Sequence, residues 1–570
     1  MRTKALLFAI LALASRALPA ADPYVGYVYP AGIEAGTTNR LVIGGQNLGR
    51  IRGVRFSRGG LSVLKIENVP GFPFPTSQQR RHLVKWLDGI AAGHPEEPPL
   101  PNDPHIDEWH SNSWWRTLGT LDAGKIAIVE KDLFVPKNPL QSTPSLRQRL
   151  LVTVAADASA KPGRGELCVY GPEGISAPRP FEITAAPHTA EPLYAPPHRH
   201  AAEPPPVDVP SGGAVILDGQ ITPGSTDAFR LQLKREGRYS LRVTARELQP
   251  YVGDAVPGFF NPCIALKDGT GEIVASADDD MRFRPDPVMH FAPGADGVYR
   301  LEIHDVLYRG REDFVYSIAV AEGAADTAAP AAGALSADGV VGPGEIARKP
   351  VSIASPGPMV FEVSARRLGS PLDAVLTLRR TPGGPVLACW DDATNAVFVG
   401  TVPQAECDPR GVYDFKEPGW YVAEITDRTG HGGPDYFWRL DVHPPEPGFT
   451  VYSTRSTLPL TRRAPLKAKF HVVRRDGFDG DVKLEFPPEA RCVGGVATSG
   501  VDVVTAQLFG KGAWIPEPRP AEVFATAEIG GRKVRVPVVP CDEYEQAFAW
   551  KHLVPAETFL LTSQGGGNAR

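Results

Sequence analysis

Apolar and polar residues alternate over short runs along most of this chain, with the period of two that is typical of half-buried β-strands. The alternation is clear in LKAKFHVV at 466–473 and in DVKLEF at 481–486. Glycine and proline, at 58 residues each, follow no strict period and supply turns between such runs. The pattern predicts an all-β, multi-domain protein built as a string of β-sandwiches.

Residues 77–93 break this alternation and predict a helix. Gly93 provides a stop signal. The apolar residues of the segment recur at helical spacing: Leu83, Val84, Leu87, Ile90 and Ala91. Because strand-like runs lie on both sides, we expect one immunoglobulin-like β domain over 21–186, with a small, partly helical insertion at about 71–145.

A segment of 22 residues occurs twice in the middle of the chain. Residues 297–318 and 419–440 align without a gap at an offset of 122. The aligned identities include Gly297 with Gly419, Tyr299 with Tyr421, Asp305 with Asp427, Gly310 with Gly432, and Asp313 with Asp435. A repeat of this kind predicts two copies of one β-rich module, an architecture used for binding or spacing.

Changes in composition mark the expected boundaries. The predicted segments are a leader at 1–20, a Pro-rich linker at 187–209, copy 1 at 210–322, an Ala-rich linker at 323–335, copy 2 at 336–443, a last immunoglobulin-like β domain at 449–541 and a C-terminal tail at 542–570.

Copy 1 resembles the bacterial pre-peptidase C-terminal (PPC) domain, a jelly-roll-like β-sandwich often appended to secreted peptidases. The stretches that carry the resemblance are DGQITPGSTDAFRLQL at 218–233, ALKDGTGEIVASADDD at 265–280, DPVMHFAPGADGVYRLEIHD at 286–305 and LYRGREDFVYSI at 307–318. Copy 2 lacks the Asp-x-Phe of Asp227 and Phe229 but keeps the pair Asp391–Asp392. The resemblance implies a helper domain, and the peptidase that normally accompanies it is missing here.

The first twenty residues, MRTKALLFAILALASRALPA, have the pattern of a secretory signal peptide. Arg2 and Lys4 precede an apolar run over 5–14, and small residues surround Ala20. We therefore expect export, to the periplasm, the cell surface or the medium. No later segment approaches the ~20 apolar residues of a membrane span, so we expect no transmembrane segment in the mature chain.

Charge gives no reason to expect nucleic acid as a partner. Without the leader the chain has 57 basic and 65 acidic residues, a formal charge of −8. Basic residues form no cluster interleaved with aromatic ones. We therefore set nucleic-acid binding aside.

Six cysteines are expected in an oxidising compartment. Cys389 and Cys407 flank a stretch found only in copy 2, and Cys492 and Cys541 both lie in the last domain, so each pair is a disulfide candidate. Cys168 and Cys263 fall in different domains and are expected to be buried thiols. No pair has the C-x-x-C spacing of a zinc or redox site.

An acidic group in copy 1 is the best candidate site. Its members are Asp278, Asp279, Asp280, Asp286 and Asp305. Calcium takes six to eight oxygen ligands, which turn-rich loops supply, so a calcium site is one interpretation. The alternative is that these aspartates cap turns. The equivalents in copy 2 form a thinner set: Asp391, Asp392, Asp408 and Asp427.

The insertion holds a second group, in NDPHIDEWHSNSWW at 102–115. The residues of interest are His105, Asp107, Glu108 and His110, with Trp109, Trp114 and Trp115 close by. They suggest either a metal or sugar site or a small tryptophan core. No H-E-x-x-H, G-x-S-x-G or phosphate-binding motif occurs in the chain.

These observations favour a secreted, non-catalytic binding, adhesion or accessory module, with a polysaccharide, a protein surface or an exported enzyme as its partner. Two alternatives stay open. One is a structural spacer of the cell envelope. The other is a hydrolase with a metal site in the 71–145 insertion.

Overall fold

The structure is a computed structural model. It describes residues 22–69, 77–100, 102, 115–134, 146, 148–191, 206–210, 212–249, 259–280, 283, 285–323, 336–393, 408–512, 515–546 and 550–563. Nearly all of its elements are strands, so the predicted all-β class is confirmed.

The first domain is a β-sandwich. Its strands are β1 (Tyr24–Tyr29), β2 (Gly32–Glu34), β3 (Thr38–Gln46), β4 (Gly53–Phe56), β5 (Leu61–Val69), β6 (Gln148–Ala156), β7 (Gly163–Gly171), β8 (Gly174–Ile175) and β9 (Arg179–Thr184). One sheet has the order β1-β3-β6-β5 and the other β2-β9-β7-β4, with β8 paired to β7. Alternate side chains of both sheets, such as Leu41, Val152 and Val169, form a common core.

A helical insertion lies between β5 and β6. It contains α1 (Ser77–Ala91), a 3₁₀ helix (Trp115–Thr120) and α2 (Ala123–Phe134). The helix predicted from spacing is confirmed, and Gly93 just beyond its end has φ +85°, a left-handed conformation that favours glycine. Leu83 and Trp86 of α1 pack with Val129 of α2 in a small separate core.

Copy 1 folds as a sandwich of two five-stranded sheets, here called sandwich 1. Its strands are β10 (His188–Ala190), β11 (Val207–Asp208), β12 (Val215–Gln220), β13 (Asp227–Leu233), β14 (Tyr239–Thr244), β15 (Pro262–Lys267), β16 (Ile273–Ala277), β17 (Val288–Phe291), β18 (Gly297–Asp305) and β19 (Val315–Glu322). The sheet orders are β10-β12-β19-β14-β17 and β11-β13-β18-β15-β16. Parts of the predicted linker 187–209 are therefore edge strands, because β10 and β11 pair in parallel with β12 and β13.

Copy 2, here called sandwich 2, repeats this topology. Its elements are β20 (Ser336–Val340), β21 (Ala347–Ile353), β22 (Gly357–Ser364), a 3₁₀ turn (Arg366–Leu368), β23 (Ala374–Arg379), β24 (Val386–Trp390), β25 (Arg410–Phe415), β26 (Gly419–Asp427) and β27 (Phe437–His443). The orders β20-β27-β22-β25 and β21-β26-β23-β24 match those of sandwich 1 without its edge strands β10 and β11. Alternate residues of both sheets, including Phe361, Leu376 and Trp438, fill its core.

The last domain extends to Ser563, which corrects the predicted tail. Its strands are β28 (Gly448–Ser453), β29 (Thr457–Leu460), β30 (Leu466–Arg475), β31 (Val482–Glu485), β32 (Ala490–Val493), β33 (Val496–Ala497), β34 (Val503–Gly510), β35 (Arg519–Ala521), β36 (Phe524–Ile529), β37 (Arg532–Pro537), β38 (Cys541–Gln546), β39 (Trp550–Pro555) and β40 (Phe559–Ser563). Strand β40 lies between β29 and β35, and its Phe559 and Leu561 enter the domain core. The tail is structured because its apolar residues complete this core.

The domains do not form a simple string, because the last domain packs on the first. Leu560 of β40 contacts the buried Cys168 and Ile175 of the first domain. Arg179 of β9, which is 2% exposed, donates a hydrogen bond to the Tyr544 hydroxyl at 3.2 Å. Apolar side chains of the first domain also pack with Leu248 and Val315 of sandwich 1. The domain order in sequence did not predict these contacts.

Candidate functional site

Two aspartates of the predicted calcium set have structural roles that are duplicated in both sandwiches. Asp286 is fully buried and accepts the backbone N–H groups of Ala245 and Arg246, both at 2.8 Å. Its equivalent Asp408 accepts those of Arg366 and Arg367 at 2.9 and 3.1 Å. Burial raises the pKa of Asp286 to about 7, although the two N–H donors act in the opposite direction.

Asp305 and its equivalent Asp427 fix the turns that follow β18 and β26. The carboxylate of Asp305 accepts the N–H groups of Asn261, Leu307 and Arg309 at 3.0 to 3.1 Å. The donors to Asp427 occupy the matching positions of sandwich 2, at 2.9 to 3.0 Å: Asp373, Thr429 and His431. These carboxylates satisfy loop amides, so the turn-capping interpretation describes them.

The structure does not bring the five predicted calcium ligands together. Asp278 and Asp279 are exposed in the loop after β16, and Asp280 is half-buried there. Asp286 and Asp305 instead point their oxygens at backbone amides. No group drawn from these five meets the spacing of a metal site in the described residues.

A trio of carboxylates in sandwich 2 does meet that spacing. Ligand atoms of Asp373, Asp391 and Asp392 lie within 4.8 Å of one another. The strand registers place Asp391 and Asp392 at the positions of Asp278 and Asp279 in sandwich 1. Asp373 replaces Asn261, and this third carboxylate distinguishes the two copies. Asp391 and Asp392 belong to the set predicted for copy 2, whereas Asp373 was not identified from the sequence.

Two arginines partly neutralise the trio. Arg428 donates to Asp391 at 2.7 Å, and Arg366 lies 3.4 Å from Asp373. Burial, followed by the charges of Asp391 and Asp373, raises the pKa of Asp392. The trio offers the hard oxygen ligands that calcium and magnesium prefer.

A second polar cluster lies between the first domain and sandwich 1. The Nδ1 of His188 is 2.6 Å from the Asp218 carboxylate, and its Nε2 is 2.9 Å from the Thr184 hydroxyl. Ser317 also donates to Asp218. The cluster combines a hydroxyl, an imidazole and a carboxylate, the types of group used in nucleophilic catalysis.

The space around this cluster is too small for a substrate. The cavity has a volume of about 40 Å³ and is bordered by residues of both domains, including Phe181 and Leu248. A water molecule needs roughly 10–15 Å³ of such volume, so the cavity holds only a few waters. Thr184 also donates its hydroxyl proton to the carbonyl of Ala186 at 2.8 Å. The cluster therefore fastens a domain joint, and sequence gave no signal for it because its members come from two domains.

The described cysteines are free thiols, which corrects one predicted disulfide. Cys492 lies on β32 beside the carbonyl of Gly494, whereas Cys541 is buried at the start of β38 against Leu553. The two residues belong to different sheets and do not form the predicted bond. Cys389 is exposed, and its proposed partner Cys407 lies outside the described residues.

The buried thiols of Cys168 and Cys541 have a raised pKa of about 12, caused mainly by burial, so they are poor nucleophiles. Cys168 is buried as predicted, and Cys263 is half-buried.

The predicted metal or sugar group of the insertion lies outside the described residues. This applies to His105, Asp107, Glu108, Trp109, His110 and Trp114. Within the described part of the insertion, His82 lies 3.1 Å from Glu97. Glu130 of α2 is 2% exposed, and burial raises its pKa to about 7.

A cleft in the last domain measures about 600 Å³. Its walls combine rings and prolines, including Phe486, Pro520 and Phe524, with ion pairs such as Arg519–Glu489. The volume falls within the range of ligand sites. No helix in the described part of the chain has the length and apolar content needed to span a bilayer.

Comparisons with known proteins give no family. No family model matches the chain, and no curated protein does. Among solved structures, the chain is similar to the crystal structure of an ICAM-5 D1–D4 ectodomain fragment, at 10% identity over 93% of this chain and 98% of that one. The TM-score of 0.10 is too low to support an argument. The β-sandwich description therefore rests on the strands and sheets themselves.

Proposed function

We propose that this chain is an exported, non-catalytic binding module that attaches to a polysaccharide or to an extracellular protein, as an adhesion or accessory unit. The observation that carries the proposal is the contrast between frame and loops in the two sandwiches. The close-packed glycines and the turn-capping aspartates of the frame are the same in both sandwiches, whereas residues at the loop ends differ.

The frame of each sandwich is held by equivalent groups. Gly310 and Gly432 allow close backbone approaches, since a Cβ at these positions would lie 2.1 Å from Thr222 C and 2.2 Å from Gly342 C. The aspartates that cap the turns are also kept. In contrast, sandwich 2 presents a trio of carboxylates at the position where sandwich 1 presents Asn261 with two aspartates. A constant scaffold with variable loops is typical of recognition proteins.

Two further observations bear on the alternatives. The contact between Leu560 and the first domain brings the two ends of the chain together, which supports a compact binding unit over an extended spacer. The hydroxyl–imidazole–carboxylate cluster at His188 has no room for a substrate. Both favour recognition as the function.

Co-sedimentation with insoluble cellulose, chitin and peptidoglycan tests the proposal, in parallel with an assay for released reducing sugar and peptide. We expect saturable binding to one of these polymers without release of products. Release of products would indicate a hydrolase. Absence of binding to all three polymers and to extracted surface protein would favour the spacer.

A further inference from the structure

The turn after β18 exposes three consecutive apolar side chains. Val306, Leu307 and Tyr308 are 39%, 69% and 53% exposed, respectively. Isolated apolar residues on a surface are ordinary, but three in succession at a turn form a continuous apolar projection. We refer to residues 306–308 as the apolar tip.

The backbone of the apolar tip is rigid. Tyr308 donates its N–H to the carbonyl of Asp305 at 2.7 Å, and its own carbonyl accepts the N–H of Gly224 at 3.0 Å. The Asp305 carboxylate accepts the N–H of Leu307 and is paired with the Arg309 guanidinium. The ring of His304 stacks on the ring of Tyr308, with centroids 4.4 Å apart. The side chains are therefore held outward.

Tyr308 adopts a conformation that an aromatic residue rarely takes. Its φ of +53° lies in the left-handed region, which is strained for a residue with a Cβ. Sandwich 2 forms the same turn with Gly430 at the equivalent position, where φ is +77°. The fold therefore does not need the tyrosine, and strain of this kind accumulates at functional sites.

The equivalent turn of sandwich 2 shows that the apolar residues are not needed for folding. Its three residues are Arg428, Thr429 and Gly430. Gly430 donates to Asp427 at 3.2 Å and accepts from Gly344 at 3.0 Å, which repeats the hydrogen bonds of Tyr308. The same backbone thus carries polar residues in one copy and an apolar projection in the other.

We propose that the apolar tip inserts into the interfacial region of a phospholipid bilayer and docks the exported protein on a membrane surface. The area decides between a lipid and a folded protein as the partner. A stable protein interface needs about 800 Å² from each side, roughly 20–30 residues, which three side chains do not provide. The affinity of insertion into a lipid interface instead scales with the apolar area and has no such threshold. Tyrosine is enriched at the level of the lipid headgroups.

Charge at the same end of the sandwich sets the kind of bilayer. Asp278 and Asp279 follow β16, whose end is aligned with that of β18 through β15. Arg309 and Arg311 are paired with Asp305 and Asp313, respectively. The exposed carboxylates disfavour anionic lipid, so the tip suits a zwitterionic surface, and its binding depends little on salt.

Vesicle flotation of the full chain tests the proposal. With phosphatidylcholine vesicles we expect a partition coefficient on the order of 10²–10³ M⁻¹, below the value of about 10⁴ M⁻¹ for one myristoyl chain. The triple variant Val306→Arg, Leu307→Thr, Tyr308→Gly installs the residues of the sandwich 2 turn. We expect this variant to fold normally. Its partition coefficient should be lower by at least about fivefold, because the apolar area that inserts is gone.

Ile273→Ser provides the matched control. Ile273 is 56% exposed at the start of β16, which is the opposite end of the sheet from the apolar tip. We expect this variant to bind vesicles as the parent does. Adding phosphatidylglycerol should weaken binding of the parent.

Three results would overturn the proposal. They are no partition at millimolar lipid, equal partition of parent and triple variant, and concentration-dependent self-association that only the triple variant lacks. The last would assign the tip to a protein contact. Polysaccharide binding by the triple variant is measured in parallel, so failure of lipid docking is distinguishable from failure of the proposed function.

Discussion

The two sandwiches differ at one buried polar pair. In sandwich 1 the hydroxyl of Tyr316, which is 1% exposed, donates to Asp227 at 2.8 Å. Burial, followed by the charge of Asp227, raises the pKa of Tyr316 well above its usual value. In sandwich 2 Trp438 and Ala347 take these places, and the buried Nε1 of Trp438 has no hydrogen-bond partner among the described residues. The absence of the Asp-x-Phe motif from sandwich 2 thus removes a buried hydrogen bond.

We expect Asp227→Ala to destabilise sandwich 1 by about 1–3 kcal/mol, because the buried Tyr316 hydroxyl loses its acceptor. Adding Tyr316→Phe should recover part of that loss. Hydrogen exchange of amides in β13 and β19 measures both effects. Additive losses in the double variant would show that the pair is not coupled.

A second prediction concerns Gly432. A Cβ there would lie 2.2 Å from the backbone carbon of Gly342, and backbone cannot yield as a side chain does. Gly432→Ala should therefore destabilise sandwich 2 by about 1–3 kcal/mol or more. Gly294→Ala is the control, since its Cβ meets nothing within 4 Å. Thermal melting that is unchanged by Gly432→Ala would contradict the close approach.

At the scale of elements, the β23–β24 hairpin of sandwich 2 brings three carboxylates together. Asp373 precedes β23, and Asp391 and Asp392 follow β24. The pKa of Asp392 is raised by burial and by its two acidic neighbours, so its ionisation opposes folding. Stability from this group is present at low pH and is lost as pH rises through the raised folded pKa.

Asp392→Asn should therefore stabilise sandwich 2 near neutral pH and have no effect in acid, where the carboxyl is already protonated. Denaturant titration across pH measures the difference. Asp279→Asn at the matching position of sandwich 1 is the control, because Asn261 supplies no third charge there. Destabilisation by Asp392→Asn only when calcium is present would instead show that the trio holds a cation.

At the scale of the molecule, the first and last domains share an interface that contains carboxyl groups. Glu166 accepts the N–H of Glu557 at 3.0 Å, and burial raises its pKa to about 7 from 4.5. Burial also raises the pKa of Asp542. Below about pH 4.5 Glu166 is protonated whether the domains are docked or separated. Between about pH 4.5 and 7, Glu166 is ionised in the separated domains and neutral in the docked ones. Docking then requires uptake of a proton, so its free energy becomes less favourable as pH rises.

We expect docking of the last domain to be tightest in acid and to weaken as pH rises from about 4.5 to 7. Small-angle scattering at about pH 5 and about pH 8 should show a larger radius of gyration at the higher pH. Glu166→Gln should flatten this dependence, and Glu557→Gln should reduce it, because the charge of Glu557 also raises the pKa of Glu166. An increase that persists in Glu166→Gln would assign the effect to other groups.

Much of the fold was predictable from residues close in sequence. Alternation predicted strands, helical spacing predicted α1, and the offset of 122 predicted two equivalent sandwiches, because these features depend on local periodicity. The sequence pattern predicts a tail for residues 542–563, and this is wrong. Strand β40 pairs with β29 and β35, and β29 is about a hundred residues away in sequence, so local periodicity does not reveal the pairing.

The candidate site was predictable only in composition. Sequence alone identified the aspartates of both copies as the residues of interest. Tertiary structure decided that Asp286 and Asp305 cap turns and that Asp373 joins Asp391 and Asp392, because carboxylate roles depend on which amides and charges lie within a few ångströms. The packing of the last domain on the first was likewise decided by side chains hundreds of positions apart, for which local pattern has no signal.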